Sequence, residues 1–311
     1  MQKDPKGFVV QQAAAYGNGK TFGLRLIGSL VYYICSSTTD LDIMKNDELR
    51  ASFHALATDT NLGAVVGRKN FAEELHASVI RRKLETERSE TLPRLAEIVS
   101  ETVESWLTAN PLTDTDDISN KLTLLTAYVM SRLCLGRVGF DDPELLEAYI
   151  GLNTDSGIVF QVSNLLPSFI SRLFSDWKVH KNYSLIKKKI IPVIKQRRKE
   201  QTSASINREI DDLLGFFLDV TGSNTRIAEL VAGIVIGGLI NVSIGVTNAL
   251  YDVLLVNRLQ DEIRVNAPPS QFVPDQPSDS PWNRLRSATL ETLRLSACVF
   301  GPVRKSNLLR Y

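Results

Sequence analysis

Apolar and polar positions change rhythm along the chain. Residues 8–35 are rich in β-branched and aromatic side chains. Within them Phe22-Gly-Leu-Arg-Leu-Ile and Leu30-Val-Tyr-Tyr-Ile-Cys read as two strands of a hairpin joined through Gly28-Ser29. From Asp40 to Tyr251 apolar residues recur at helical spacing. Arg81–Leu107 sets Leu84, Leu92, Leu95, Ile98, Val99, Val103, Trp106 and Leu107 among charges. Leu122–Leu135, Leu145–Leu152, Ile158–Phe174, Tyr183–Lys199 and Asp211–Val220 continue the pattern, and Thr225–Arg264 reads as one long helix. Val265–Pro281 holds five prolines, which excludes a helix or a central strand and predicts an exposed loop. A short helix follows at Trp282–Leu295, and Val299–Tyr311 shows no closing element. The expected organisation is one mainly α domain over 1–311. It comprises a small β region (1–39), a helical body (40–264), a Pro-rich loop (265–281), and a final helix with the C-terminal segment (282–311).

Composition narrows the function classes. With 311 residues, 43% hydrophobic and 23% charged, the chain is globular rather than disordered. Thirty-six Lys+Arg against 35 Asp+Glu leave a net charge of +1, so no overall field recruits nucleic acid. Three separated cysteines, Cys35, Cys134 and Cys298, exclude a disulfide scaffold and any CxxC motif, and they suit a reducing compartment. Lys3, Asp4 and Lys6 precede any apolar run, so no signal peptide is expected and a cytoplasmic protein is.

Several stretches imitate known chemistry. Ala14-Ala-Tyr-Gly-Asn-Gly-Lys-Thr21 nearly spells a phosphate loop, but a β-rich segment follows where such a loop needs a helix N-terminus. Leu230–Tyr251 has no charge over 22 positions, enough to cross a bilayer. Gly233, Gly237, Gly238, Gly245, Asn241, Ser243, Thr247 and Asn248 within it fit an interior helix equally well. Asn241-Val-Ser-Ile-Gly245 resembles a nucleophile elbow, yet Ser243 falls in mid-helix rather than at a strand-to-helix turn. His54, His76 and His180 lack metal-ligand spacing and no metal site is expected. The basic run Lys187–Lys199 reads as a solvated helix face or as a contact for an anionic membrane surface.

Glu291-Thr-Leu-Arg294 is an ExxR motif on the last helix. Upstream, in order, stand Tyr16-Gly, Phe22-Gly-Leu-Arg-Leu, His76-Ala-Ser-Val-Ile-Arg81, Ser131-Arg-Leu-Cys-Leu-Gly136, Asp211-Asp-Leu-Leu-Gly-Phe-Phe217, Ala249-Leu-Tyr-Asp252 and Asp261-Glu-Ile-Arg264. This series resembles fungal cytochrome P450s of secondary metabolism over nearly the whole chain. The resemblance implies the mostly helical P450 fold, with residues around 226–264 as the central helix over the active site. It assigns Glu291 and Arg294 to structure, and Ala297, Val299 and Phe300 to substrate contact or to packing. The family's N-terminal membrane anchor is not seen, so at most peripheral membrane contact is expected.

Two departures shape the functional expectation. The family holds haem iron through a cysteine thiolate in a loop well after the ExxR helix. Here 17 residues follow Arg294 without that loop, and Cys298 stands too close to serve. At the proton-relay positions of the central helix the chain reads Gly237-Gly238-Leu239-Ile240-Asn241-Val242, and Ile240 cannot donate a proton. These departures predict a C-terminally truncated, haem-less P450 without cofactors. An emptied chamber of roughly 500 Å3, at about 24 cal/mol per Å3, would cost on the order of 12 kcal/mol, so it collapses or is occupied. An occupied chamber can catalyse by orientation and by a hydrogen bond that strengthens as charge develops. The first expectation is therefore a redox-neutral cyclase of the Diels–Alder pericyclase type acting on an apolar terpenoid or polyketide precursor. In it Asn241 donates to a substrate carbonyl, and Gly237, Gly238 and Asn248 line the pocket. A non-catalytic P450 that binds a metabolite or a pathway partner enzyme, and a fragment of a P450 monooxygenase, are the alternatives.

Overall fold

The computed structural model describes residues 61–76, 88–111, 117–163, 166–203 and 212–254, four short strands and a few isolated positions. The chain forms two compact units. One takes Met1–Leu62, Ile158–Ser175 and Pro302–Tyr311, and the other Gly63–Gly157 and Asp176–Gly301.

The first unit holds the strands. β1 (Phe22–Leu26) and β2 (Ser29–Tyr33) pair antiparallel with Leu26 opposite Ser29. The connection is therefore positions 27 and 28, one residue earlier than the expected Gly28-Ser29 link, because Ser29 is already paired. A two-residue connection suits the right-handed twist of paired strands. β3 (Ala51–Ser52) pairs antiparallel with β4 (Lys305–Ser306). The C-terminal segment thus has a pairing partner, which lies inside the stretch expected to be helical. Strands of two residues carry no periodicity for a sequence to display.

The helices are α1 (Leu62–Val66), α2 (Arg68–Ala72), α3 (Arg88–Ala109), α4 (Ile118–Leu135), α5 (Pro143–Ser163), α6 (Ser168–Ser203), α7 (Leu213–Val220) and α8 (Asn224–Gly238). A π-helical turn at Leu239–Ser243 follows directly, and then α9 (Ile244–Leu254). Helix starts follow side-chain chemistry. Asp117 accepts from the Asn120 amide at 3.2 Å, Asp212 from Gly215 at 3.0 Å and Ser223 from Arg226 at 3.4 Å. Asp142 accepts from the Glu144 and Leu145 amides just ahead of α5, whose first residue is Pro143. Each cap satisfies amides that have no partner inside the helix.

Two expected helices are drawn differently. Ile158–Phe174 is divided between α5 and α6, because Pro167 disfavours helical geometry at the residue before it and starts the next helix instead. Tyr183–Lys199 is the second half of α6, which runs unbroken through Pro192. Ile186, Ile190 and Ile194, all fully buried, hold that half in place despite the backbone hydrogen bond the proline removes. The long helix expected from Thr225 is present from Asn224 to Leu254. The remainder of that segment, the Pro-rich loop and the Trp282–Leu295 helix lie outside the described residues.

Helix α8, charged only at Arg226 and Glu229, is seated by contacts from several elements of the second unit. At its first turn Asn70 donates to the Arg226 carbonyl at 2.9 Å and accepts from Arg226 Nε at 2.9 Å, while Arg226 also pairs with Glu73. One turn on, Glu229 meets Lys187 of α6 at 2.8 Å and lies against Gly67, whose φ of 88° already requires glycine. His76 and Val66 fill the notch at Gly233, and Met130 of α4 that at Gly238. Ile227, Leu230, Val231 and Val235 are fully buried beside them.

The basic run of α6 is mostly structural. Lys187 binds Glu229, Lys189 binds Asp142 and Glu144, Arg197 pairs with Asp212, and Arg198 donates to Asn224 and the Thr221 carbonyl. Asp212 thus caps α7 and anchors α6, and its carboxylate lies where a Cβ on Gly136 would stand (φ 76°).

Two predictions follow from this seating. Asp212→Ala removes a helix cap and leaves Arg197 without its partner, so it should lower unfolding free energy by about 2–3 kcal/mol, and Asp212→Asn by roughly half that. Urea denaturation measures both. His76 is held near pKa 4 by burial, and its Nε2 has no hydrogen-bond partner among the described residues. Its folded-state pKa lies below the unfolded value near 6.5, so the unfolded chain takes up the proton first. Stability from neutral His76 is complete above about pH 6.5 and declines as pH falls toward 4, by at most about 3 kcal/mol. In His76→Leu this part of the pH dependence should vanish when wild type and variant are compared.

Candidate functional site

The site is built on the break in the central helix. A π turn widens the helix by one residue, and here it spans Leu239–Ser243 between two α-helical lengths. Side chains supply donors where the backbone ladder widens. Asn241 Nδ2 donates to the Gly237 carbonyl at 2.8 Å, Ser243 Oγ to the Leu239 carbonyl, and Thr247 Oγ1 to the Ser243 carbonyl at 2.7 Å. Ser243 is buried and committed to this bond, so it is no exposed nucleophile.

The two glycines have different surroundings. At Gly237 a Cβ would meet no described residue within 4 Å, whereas at Gly238 it would meet Met130 Cε at 2.6 Å. The space expected beside both glycines exists at Gly237, and Met130 occupies it at Gly238. Asn241 is exposed beside Gly237, with one amide proton used by the Gly237 carbonyl and one left over. Asn248 is half-buried on α9. The expected shared face of Gly237, Asn241 and Asn248 assumes uninterrupted α geometry. The π turn sets α9 back by about one position, so Asn248 stands where an unbroken helix would place its neighbour. Around Asn241 the exposed positions are apolar, with Val242, Ile244 and Val246 each between 42 and 45% exposed. The structure thus joins Gly237 and Asn241 through a hydrogen bond and gives Asn248 a different register.

Ala297, Val299, Phe300, Glu291 and Arg294 lie outside the described residues, as do Cys35, Cys298 and His54. The near-phosphate-loop does so in large part, and the element that follows it is strand β1.

Cys134 is the free thiol among the described residues. It is fully buried in α4, and burial together with the charge of Asp212 pushes its pKa far up. A thiol held protonated in this way does not fit the thiolate that ligates haem iron in P450s. No group of three or more His, Cys, Asp and Glu side chains among the described residues is arranged for a metal ion.

Sequence reasoning missed the side chains that seat the helix: His76 at Gly233, Met130 at Gly238, Lys187 on Glu229. Their only trace in the sequence is the spacing of the glycines. The apolar stretch that could span a bilayer corresponds to Asn224–Asp252, the one helix among the described residues long and apolar enough to do so. Its most apolar window is 61% buried within the protein, as for an interior helix.

Comparison with known proteins agrees with this architecture. Across 275 residues the chain is 22% identical to the cytochrome P450 monooxygenase olcJ of Penicillium canescens. The match covers 80% of this chain and 51% of that protein, so the chain spans about half the length of this relative. Among solved structures, the retinoic acid-bound cyanobacterial CYP120A1 superposes with a TM-score of 0.64 at 16% identity, covering 94% of this chain and 65% of the other. The cytochrome P450 CYP102L1 gives 0.63 at 16% identity (94% and 69%), and the cytochrome P450DA heme domain 0.62 at 18% identity (94% and 66%). At these identities the structures establish the fold. The sequence profile of the cytochrome P450 family matches residues 40–297, and this chain belongs to that family.

Proposed function

We propose that the chain is part of a cytochrome P450 monooxygenase of fungal secondary metabolism, the part that shapes the substrate-facing side of the central helix. The observation that supports it is the match to the family over residues 40–297, which includes α8, the π turn and α9, together with the similarity to a fungal monooxygenase. This reading takes the place of the haem-free cyclase as the first choice, because the family model and the match to a fungal monooxygenase support it.

The chain's own residues define what such a site accepts. Val242, Ile244 and Val246 offer an apolar surface, and Gly237 leaves space against the helix backbone, which together favour a small apolar substrate. Asn241 offers one amide proton and one carbonyl oxygen to orient a polar substituent. Neither Asn241 nor Ile240 titrates near neutral pH, so these two positions orient and exclude rather than deliver protons. Haem, when bound, would supply the oxidising chemistry. The described residues do not contain its thiolate, and no step is assigned to it.

A second reading, the Diels–Alder-like pericyclase, is favoured by one observation. Asn241 is an exposed, non-titrating donor at the position where the family's relay would stand. The two readings separate in one set of measurements. The purified chain is supplied with hemin and reduced under carbon monoxide, and apolar terpenoid and polyketide precursors are then incubated with and without haem. The monooxygenase reading expects no conversion of the precursors without haem, and a haem spectrum that Cys134→Ser leaves unchanged because that thiol is buried and held protonated. Cyclisation without haem, reduced about 100-fold or more in Asn241→Ala, would replace it with the cyclase.

A further inference from the structure

The last turn of α4 carries a buried cation that no carboxylate holds. Arg132 is 6% exposed. Its Nη1 is enclosed without a hydrogen-bond partner, and its side chain enters no ion pair among the described residues. The guanidinium lies over the Phe140 ring, 5.6 Å from its centroid, and Tyr128 meets that ring edge-on at 5.0 Å. Gly136, with φ of 76°, ends the helix, and the exposed Arg137 follows at once. Burial first, and then the charge of Arg137, lower the pKa of Arg132, while Asp212, Glu101 and Tyr128 act the other way. Neither acid is its dedicated partner. Asp212 is spent on Arg197 and on the Gly215 amide, and Glu101 is exposed on α3 and in no ion pair among the described residues. A guanidinium taken out of water in this way is costly until an anion meets it.

We propose that Arg132 and Arg137 form a site for the phosphate group of a small molecule, with Arg132 as the fixed, buried donor and Arg137 as the exposed donor beside it. A guanidinium is planar and presents N–H groups in a fork that matches phosphate oxygens, and one seated over a ring still offers that edge. Packing already holds Arg132, so little of its freedom is lost on binding. A tetrahedral oxyanion has oxygens for both arginines, whereas chloride is a single acceptor. The site uses none of the residues assigned to the substrate, and it stands or falls without haem.

The test is titration calorimetry and thermal melting of the full chain with inorganic phosphate, against chloride at matched ionic strength and pH. We expect saturable phosphate binding and a rise in melting temperature that chloride does not give. Arg137→Gln, at an exposed position, should keep the circular dichroism spectrum and weaken phosphate binding at least about tenfold. Arg132→Met should abolish binding, yet in chloride buffer it should melt no lower than wild type, because an apolar side chain replaces an unpartnered charge. Glu101→Gln should leave stability unchanged and tighten phosphate binding, since a competing carboxylate is gone. Wild type that responds to phosphate and chloride alike overturns the proposal, and so does Arg137→Gln that binds as wild type does. A loss of stability in both Glu101→Gln and Arg132→Met would assign Arg132 to an internal ion pair with Glu101 and overturn it equally.

Discussion

The interaction on which the rest depends is the seating of a helix, uncharged beyond its first turns, by neighbours that enter at its glycines. An α-helix whose interior length carries no charge is fixed by shape and by what grips its ends. Here His76 and Met130 enter at Gly233 and Gly238, and Arg226 and Glu229 tie the first turns to Asn70, Glu73 and Lys187. Close packing of this kind tolerates little added volume. It places one glycine of the adjacent pair, Gly237, in the open while its neighbour is filled.

The π turn follows from the same constraint and sets the chemistry available. Its extra residue swings α9 relative to α8, and Asn241 and Ser243 donate to the carbonyls one turn back. Asn241 therefore has a structural duty along with any contact to a substrate. A side chain tied to the backbone presents its remaining donor and acceptor in a restricted set of directions, which helps orientation. It also means that removing it alters the shape of the helix as well as its chemistry.

Partly buried polar pairs in the second unit fasten α6 to its neighbours. Asp155 accepts from Asn182 at 2.8 Å and pairs with Lys178 at 3.0 Å, tying α5 to α6. Asn182 crowds Gly151, so a larger residue there would displace this link. Asp142 takes Lys189 and the start of α5, and its carboxyl is held below the usual range chiefly by that lysine. Through these pairs α6 is fastened at successive turns.

The sequence by itself determined what is local. Apolar recurrence at helical spacing located most of the helical body, and the ordered series of short motifs carried the family. Caps such as Asp117, Asp212 and Ser223 act within three residues, so their signals are complete in the chain. Tertiary structure decided whatever joins distant positions: β3 with β4, His76 with Gly233, Met130 with Gly238, and which cations of 187–199 are spent on acids. It also decided the π turn at Leu239–Ser243, which interrupts the simple spacing rule that had put Asn248 beside Asn241. Periodicity reports which face of an element is apolar, whereas the partner of a face is set by chain segments tens to hundreds of residues away, and only their meeting in space reveals it.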